Sequence, residues 1–343
     1  MGALEVGRGS LSACGVEMPR KTSYPFPTRE ELLAYVASLY YQRGWDQGRI
    51  ARRLGLSRSM VSRLLSEARR RRIVQIHIQW PVKTVSPLES RLMEAFSLQG
   101  ARVLDAENSS YRELLGQLGR LAAMELLPHL RDGMTVAVTW GVTLWEVVQA
   151  LPSSSYPRLR IVQCLGALGG RQPCDSPSIV RKLAETLGAQ GYYLHAPVMV
   201  EREEVAQRLL EERAIKEVLD LARSADLLLV GIGTTHAEAS SLKRAGYLSD
   251  EDLAELRRRG AVGYICARYL DLKGLPVSTP FDQRTIGLTL EDIRRIPCVI
   301  AVAGGLVKAQ AILAALRSGL IDILITDKGA ATEALNLHLR ESP

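Results

Sequence analysis

From about residue 88 onward the chain keeps to one local grammar. A short apolar run ends on Gly or a small polar residue, and a helical pattern follows. The clearest runs are Thr135–Thr139, Ile161–Leu165, Leu227–Val230, Cys298–Val302 and Ile321–Thr326. Runs of this length bounded by turn residues read as strands, and strands alternating with helices make an α/β domain with a mainly parallel sheet. That domain is expected over 88–343. A chain of 343 residues has room for a second one.

Charge locates the second domain. Residues 1–82 hold fourteen Lys and Arg against six Asp and Glu, whereas residues 83–343 hold thirty against thirty-one. The whole basic excess therefore sits in the first quarter of the chain, which points to nucleic acid or another anionic surface. Arg outnumbers Lys thirty-six to eight, and the planar guanidinium suits phosphate. No apolar run reaches eighteen residues, so no membrane-spanning helix is expected. Met1–Arg20 carries Glu5, Arg8 and Glu17 and does not read as a secretory signal. Cys14, Cys164, Cys174, Cys266 and Cys298 form no CxxC pair and are odd in number, which fits a reduced, cytoplasmic protein. The five histidines form no metal-ligand spacing, so neither a metal nor a cofactor is expected.

Residues 1–23 show no hydrophobic period and read as a mobile tail. Over 24–82, Thr28 is a plausible N-cap before Glu30 and Glu31, and Gly44 ends the helix that follows. Ile50, Ala51 and Leu54 mark one face of a short helix. Gly55-Leu56-Ser57 make a tight turn. Ser57 caps a second helix with Met60, Val61, Leu64, Leu65 and Ala68 inside. Two short helices around a glycine turn form a helix-turn-helix, whose second helix enters the major groove. Its outward face carries Arg58, Ser59, Ser62, Arg63 and Ser66, suited to base edges and phosphates. Arg49, Arg52 and Arg53 on the first helix suit the DNA backbone. Ile73–Ile78 reads as a strand and Pro81–Pro87 as the linker.

The stretch Tyr40-Tyr41-Gln42-Arg43-Gly44, Gln47, Ile50-Ala51, Leu54-Gly55, Ser57-Arg58, Val61-Ser62-Arg63-Leu64-Leu65, Ala68-Arg69 and Ile73-Val74 resembles the DNA-binding domain of the SorC family of bacterial transcriptional regulators. That resemblance implies a helix-turn-helix head joined to a Rossmann-like domain similar to sugar-phosphate isomerases and deaminases. The expected DNA-contacting residues are Gln47, Arg49, Ser57, Arg58, Ser59, Ser62 and Arg63.

In the larger domain four strand ends stand out. Thr139-Trp140-Gly141-Val142-Thr143 follows what reads as the first strand. Gly231-Ile232-Gly233 follows Asp226–Val230. Gly304-Gly305-Leu306-Val307-Lys308 follows Cys298–Ala303, and Thr326-Asp327-Lys328-Gly329 follows Ile321–Ile325. Ligands of parallel sheets bind outside the carboxyl ends of strands, and free amides at a helix start favour an anion. Each loop alone is weak, because Gly after a strand is mostly turn chemistry, and Asp327 could simply cap the next helix. The family resemblance extends over roughly 36 to 335. It implies that Gly141 and Thr143 cradle a phosphate, that Lys308 contacts phosphate or sugar, and that Asp271 accepts from a hydroxyl. Gly231, Gly233 and Asp327 complete the expected effector set, with Gly169 of the Gly169-Gly170-Arg171 loop as a further contributor.

Two functions fit. One is a transcriptional regulator whose large domain binds a phosphorylated sugar or related metabolite that modulates operator binding, as a homodimer or homotetramer on double-stranded DNA. The other is a sugar-phosphate isomerase or deaminase with Lys308 or Lys328 as a Schiff-base amine. The basic head favours the first, because an isomerase has no use for it.

Overall fold

Capping chemistry sets the first helices. The computed structural model describes residues 28–74, 82–106, 109–169 and 174–341, and the chain divides near residue 80 into two units. In the first unit, Thr28 accepts from the Glu31 amide and Glu31 accepts from the Thr28 amide, a capping box that opens α1 (Arg29–Ala37). A π-helical turn, Ser38–Gln42, continues it. Asp46 caps α2 (Gln47–Leu54), and Ser57 caps α3 (Arg58–Arg70). Between them Gly55 takes φ +65°, and its amide closes onto the Ala51 carbonyl. Leu33, Val36, Leu39, Ile50, Val61, Leu64, Leu65 and Ala68 are buried together. Glu67 on α3 pairs with Arg29 on α1 at 2.7 Å. Ile73 and Val74 form a bend rather than the start of a strand. The remainder of that expected strand, and the tail 1–23, lie outside the described residues.

The second unit opens with α4 (Ser86–Phe96), β1 (Gly100–Leu104) and α5 (Tyr111–Leu126). Then come β2 (Thr135–Val138), α6 (Val142–Ala150), β3 (Arg160–Gln163), α7 (Ser176–Leu187), β4 (Gln190–Tyr192), α8 (Glu203–Glu211) and α9 (Arg213–Arg223). The chain continues through β5 (Leu227–Gly231), β6 (Gly233–Thr234), α10 (Ser241–Arg244), α11 (Asp250–Arg258), β7 (Ala261–Ile265) and β8 (Arg268–Asp271). It ends with α12 (Leu290–Arg294), β9 (Val299–Val302), α13 (Ala309–Arg317), β10 (Ile323–Asp327) and α14 (Lys328–Glu341).

Seven strands make one sheet in the order β1-β10-β9-β5-β2-β3-β4, every pair parallel. Side chains alternate across it. Leu227 and Leu229 join a core beneath α5, α6 and α7, while Leu228 and Val230 join a second core beneath α13 and α14. A sheet covered on both faces gives the near-continuous apolar runs seen in the sequence. The small sheet β6-β7-β8 is antiparallel.

Two expectations are corrected. Thr135–Thr139 is not the first strand of this unit: β1 precedes it and forms one edge of the sheet. Nor is 81–87 simply a linker. Thr84 bridges Leu104, and α4 begins at Ser86, so the strip 82–85 belongs to the sheet edge. Among the described residues no helix is long and apolar enough to cross a membrane.

Candidate functional site

The sheet topology places a crevice. After β2 the chain moves outward to β3 and β4, and after β5 it moves the other way to β9 and β10. Connections that diverge from adjacent strands leave a gap at their carboxyl ends, where ligands of such sheets bind. Gly141 follows β2 and Ile232 follows β5. The lining of this cleft includes Trp140, Gly141, Thr143, Gly231, Gly233, Ser241, Arg244, Tyr264, Cys266 and Lys308.

Gly141 has φ +149° and ψ +152°, a conformation essentially limited to glycine. It lets the chain turn from β2 into α6, and its amide donates to the Cys174 carbonyl. The first helical bond of α6 runs from Trp145 to Gly141, so the amides of Val142, Thr143 and Leu144 precede the helix ladder and form its positive end. Thr143 is buried beside them. From across the crevice Lys308 Nζ donates to the Ile232 carbonyl at 2.9 Å. Burial, then the positive charge of Arg244, lowers the Lys308 pKa to about 8. Arg244 is exposed and has no ion-pair partner among the described residues. Among the described residues no carboxylate or imidazole lines this cleft.

Two cations and a helix N-terminus, with no carboxylate in the lining among the described residues, favour an anion. The Trp140 indole supports the same reading. Trp140 is only 6% exposed, and its Nε1 has no acceptor among the described residues. A buried donor left unpaired costs about 1–3 kcal/mol, which a bound acceptor would relieve. The cleft holds only about 40 Å³. That is far below the roughly 300 Å³ at which ligand pockets begin, so it must widen to admit a sugar phosphate.

The expected effector residues separate into three groups. Gly141, Thr143, Gly231, Gly233 and Lys308 meet in the cleft. Gly233 also lies under the Tyr264 ring, where a side chain would collide. Asp327 is near but occupied: its carboxylate accepts from the Gly305, Gly329 and Ala330 amides. It holds the Gly305 loop and caps α14 rather than facing a ligand. Gly169, at φ +71°, precedes four residues outside the described set and is not in the lining. Asp271 is not brought to the cleft. The β7–β8 hairpin presents Cys266 and Ala267 there, and Asp271 lies at its opposite end. Its carboxylate accepts from the Lys273 and Leu275 amides, close to the C-terminus of α13.

Trp140 was quoted in the first loop but not expected as a donor, and Arg244, Ser241 and Tyr264 carried no sequence signal. Tyr264 is tied to Ser241 at 2.9 Å. The hairpin was equally silent, because its turn is Cys266-Ala267, at φ +50° and +58°, where Asn or Gly is usual.

In the first unit Arg49, Arg58, Ser59, Ser62 and Arg63 are exposed, and Ile50, Ala51, Val61, Leu64, Leu65 and Ala68 point inward. Met60, expected inside, is 39% exposed because it lies in the first turn of α3, beyond the reach of α1 and α2. Arg49 stacks on Trp45, 4.2 Å from the ring centroid. Gln47 is half-buried at the start of α2. Ser57 is partly committed: its hydroxyl accepts from the Met60 amide and pairs with Ser59.

The family described as "Putative sugar-binding domain" matches residues 81–336. The chain is 32% identical over 309 residues to the deoxyribonucleoside regulator of Bacillus subtilis, covering 90% of this chain and 98% of that protein. It is 34% identical to the transcriptional regulator LsrR of an Enterobacter species, covering 90% and 94%. The crystal structure of the full-length sorbitol operon regulator SorC from Klebsiella pneumoniae superposes with a TM-score of 0.68 at 28% identity, covering 89% of this chain and 99% of that one.

Proposed function

Because the chain belongs to the SorC family of transcriptional regulators with a sugar-binding domain, we propose that its cleft binds a phosphorylated sugar and thereby sets the affinity of its head for an operator. The observation that carries this is the convergence of Lys308, Arg244 and the α6 N-terminus on a cleft lined by no carboxylate among the described residues. A phosphate takes the α6 amides and the Lys308 ammonium, and a ring or chain oxygen takes the Trp140 indole. The names of the relatives, a deoxyribonucleoside regulator and a sorbitol operon regulator, support the sugar.

On the head, Arg58, Ser59, Ser62 and Arg63 form the groove-facing set, with Gln47 and Arg49 toward the DNA backbone. Ser57 acts mainly as a cap. Ligand control follows from differential affinity. An effector shifts DNA binding only as far as it binds one state better than the other, typically by about 5–150-fold. Two heads in a symmetric oligomer would match two half-sites.

The test is fluorescence anisotropy on DNA from upstream of the protein's own gene, against unrelated competitor DNA, with and without a panel of sugar phosphates. Tight, competitor-resistant binding altered by one member of the panel is expected. A response to a neutral sugar, with none to any phosphorylated one, would overturn the anion reading of the cleft.

A further inference from the structure

Residues 82–85 lead from the head into the effector unit, and they form an edge strip of its sheet. The Val85 amide donates to the Val103 carbonyl at 2.9 Å, and the Asp105 amide donates to the Lys83 carbonyl at 2.8 Å. Thr84 thereby sits opposite Leu104 as an antiparallel bridge. On the other side of β1, Leu104 is the register partner of Asp327. Thr84, Leu104 and Asp327 therefore lie abreast across three neighbouring segments. The Asp327 carboxylate grips the Gly305 amide, and Gly305 begins the turn that carries Lys308. A second tie runs alongside: Lys328 Nζ lies 3.6 Å from Asp105.

The Gly305 turn has a cause to move and space to enter. Lys308, at the end of the turn, lines the narrow effector cleft. Gly305 and Leu306, at its start, line a cavity of about 590 Å³ together with Ala106, Leu114, Asp327 and Lys328. Leu306, at 64% exposure, does not anchor the turn. A ligand that widens the cleft by displacing Lys308 would move the turn and disturb the Asp327 grip on Gly305.

We propose that Lys83–Val85 is a detachable strap, released or seated by movement of the Gly305 turn acting through Asp327 and β1. This rests on the reading of the cleft as the effector site. Coupling between sites needs an element with two discrete arrangements. A three-residue strip laddered by two backbone bonds is such an element, because it opens at far lower cost than the whole domain. Release lengthens the tether of the head by up to about 10 Å, at roughly 3.3 Å per residue. Asp327 is thus a positioning residue.

Hydrogen exchange on the full-length protein tests this without a ligand. Asp327→Asn keeps the side-chain shape and weakens the grip. Exchange at the Val85 and Asp105 amides should rise by about tenfold or more, while Val136 and Val138 in β2 stay protected. Loosening confined to Gly305, Gly329 and Ala330 would overturn the proposal. Val85→Pro removes one strap bond outside both the cleft and the head. It should change operator affinity by at least about fivefold and, because coupling is reciprocal, shift the affinity for ribose 5-phosphate, the probe, as well. Unaltered operator affinity would overturn it. If wild-type protein fails to bind the whole sugar-phosphate panel, the cleft reading fails, and these two ligand-free results still decide the strap.

Discussion

The head and the effector unit both display cations, but they prepare those cations differently. The head displays Arg58 and Arg63 on the exposed face of α3, over a core of a few Leu, Ile and Val. The effector unit keeps Lys308 in a crevice, where burial and Arg244 lower its pKa to about 8. An exposed guanidinium is always charged and is screened by salt. A half-buried ammonium in a crevice is screened less and titrates near working pH. Salt should therefore control one site and pH the other.

The largest expected effect is the salt dependence of DNA binding. A head that neutralises six or more phosphates loses about 10³-fold in affinity between 50 and 200 mM salt. Sugar-phosphate affinity, read by calorimetry over the same range, should change by less than about tenfold, because one buried anion releases few counterions. Equal salt slopes at the two sites would erase the contrast.

Lys308→Met comes next. Losing a charge-assisted hydrogen bond of about 1.5–3 kcal/mol should weaken sugar-phosphate binding by roughly ten- to a hundredfold. Ligand-free operator affinity should stay at the wild-type value. Arg63→Ala is the mirror case: operator affinity falls by about 1–3 kcal/mol if the side chain reads a base, with sugar-phosphate affinity intact. A variant that moves both affinities directly would show that the two functions are not divided between the units in this way.

The difference also explains what the sequence made legible. The head is written in local signals: Thr28 and Ser57 as caps and Gly55 at the turn, each acting within four residues. The strand ends carrying Gly141, Gly231 and Lys308 were equally readable, since buried parallel strands leave apolar runs. What stayed hidden depends on distant partners. Arg244 reaches the cleft from a four-residue helix with no periodicity to mark it. The hairpin turn at Cys266-Ala267 lacks the residues that usually announce one. Asp271 matched a family loop, and hairpin direction places it at the end away from Cys266-Ala267. The strip at Thr84 lies between prolines and pairs with a strand twenty residues away.

A smaller effect sharpens the contrast through pH. A bound phosphate favours the charged form of Lys308, whose pKa in the free protein lies near 8. Below pH 8 the ammonium is already present. Above it, binding must take up a proton, so affinity falls as pH rises. Between pH 7 and pH 9 the charged fraction drops from about nine-tenths to one-tenth, which predicts a roughly tenfold loss of sugar-phosphate affinity. The ligand phosphate, with its second pKa near 6, is already largely dianionic across that window and does not mimic the effect. Lys308→Met should flatten the profile. DNA affinity should stay level, because arginine does not titrate there.

The smallest effect asks how locally the head is built. Gly55 sits at φ +65° with nothing within 4 Å of where a Cβ would stand. Gly55→Ala therefore meets no steric clash and pays only the left-handed backbone strain, about 1–2 kcal/mol. Chemical denaturation should show that loss as a lower midpoint for the head, with the transition of the effector unit unmoved. Sugar-phosphate affinity should not change. If the head's midpoint does not fall, the turn does not depend on glycine's backbone freedom. The fit of α2 to α3 would then rest on the packing of Ala51, Val61 and Leu64 alone.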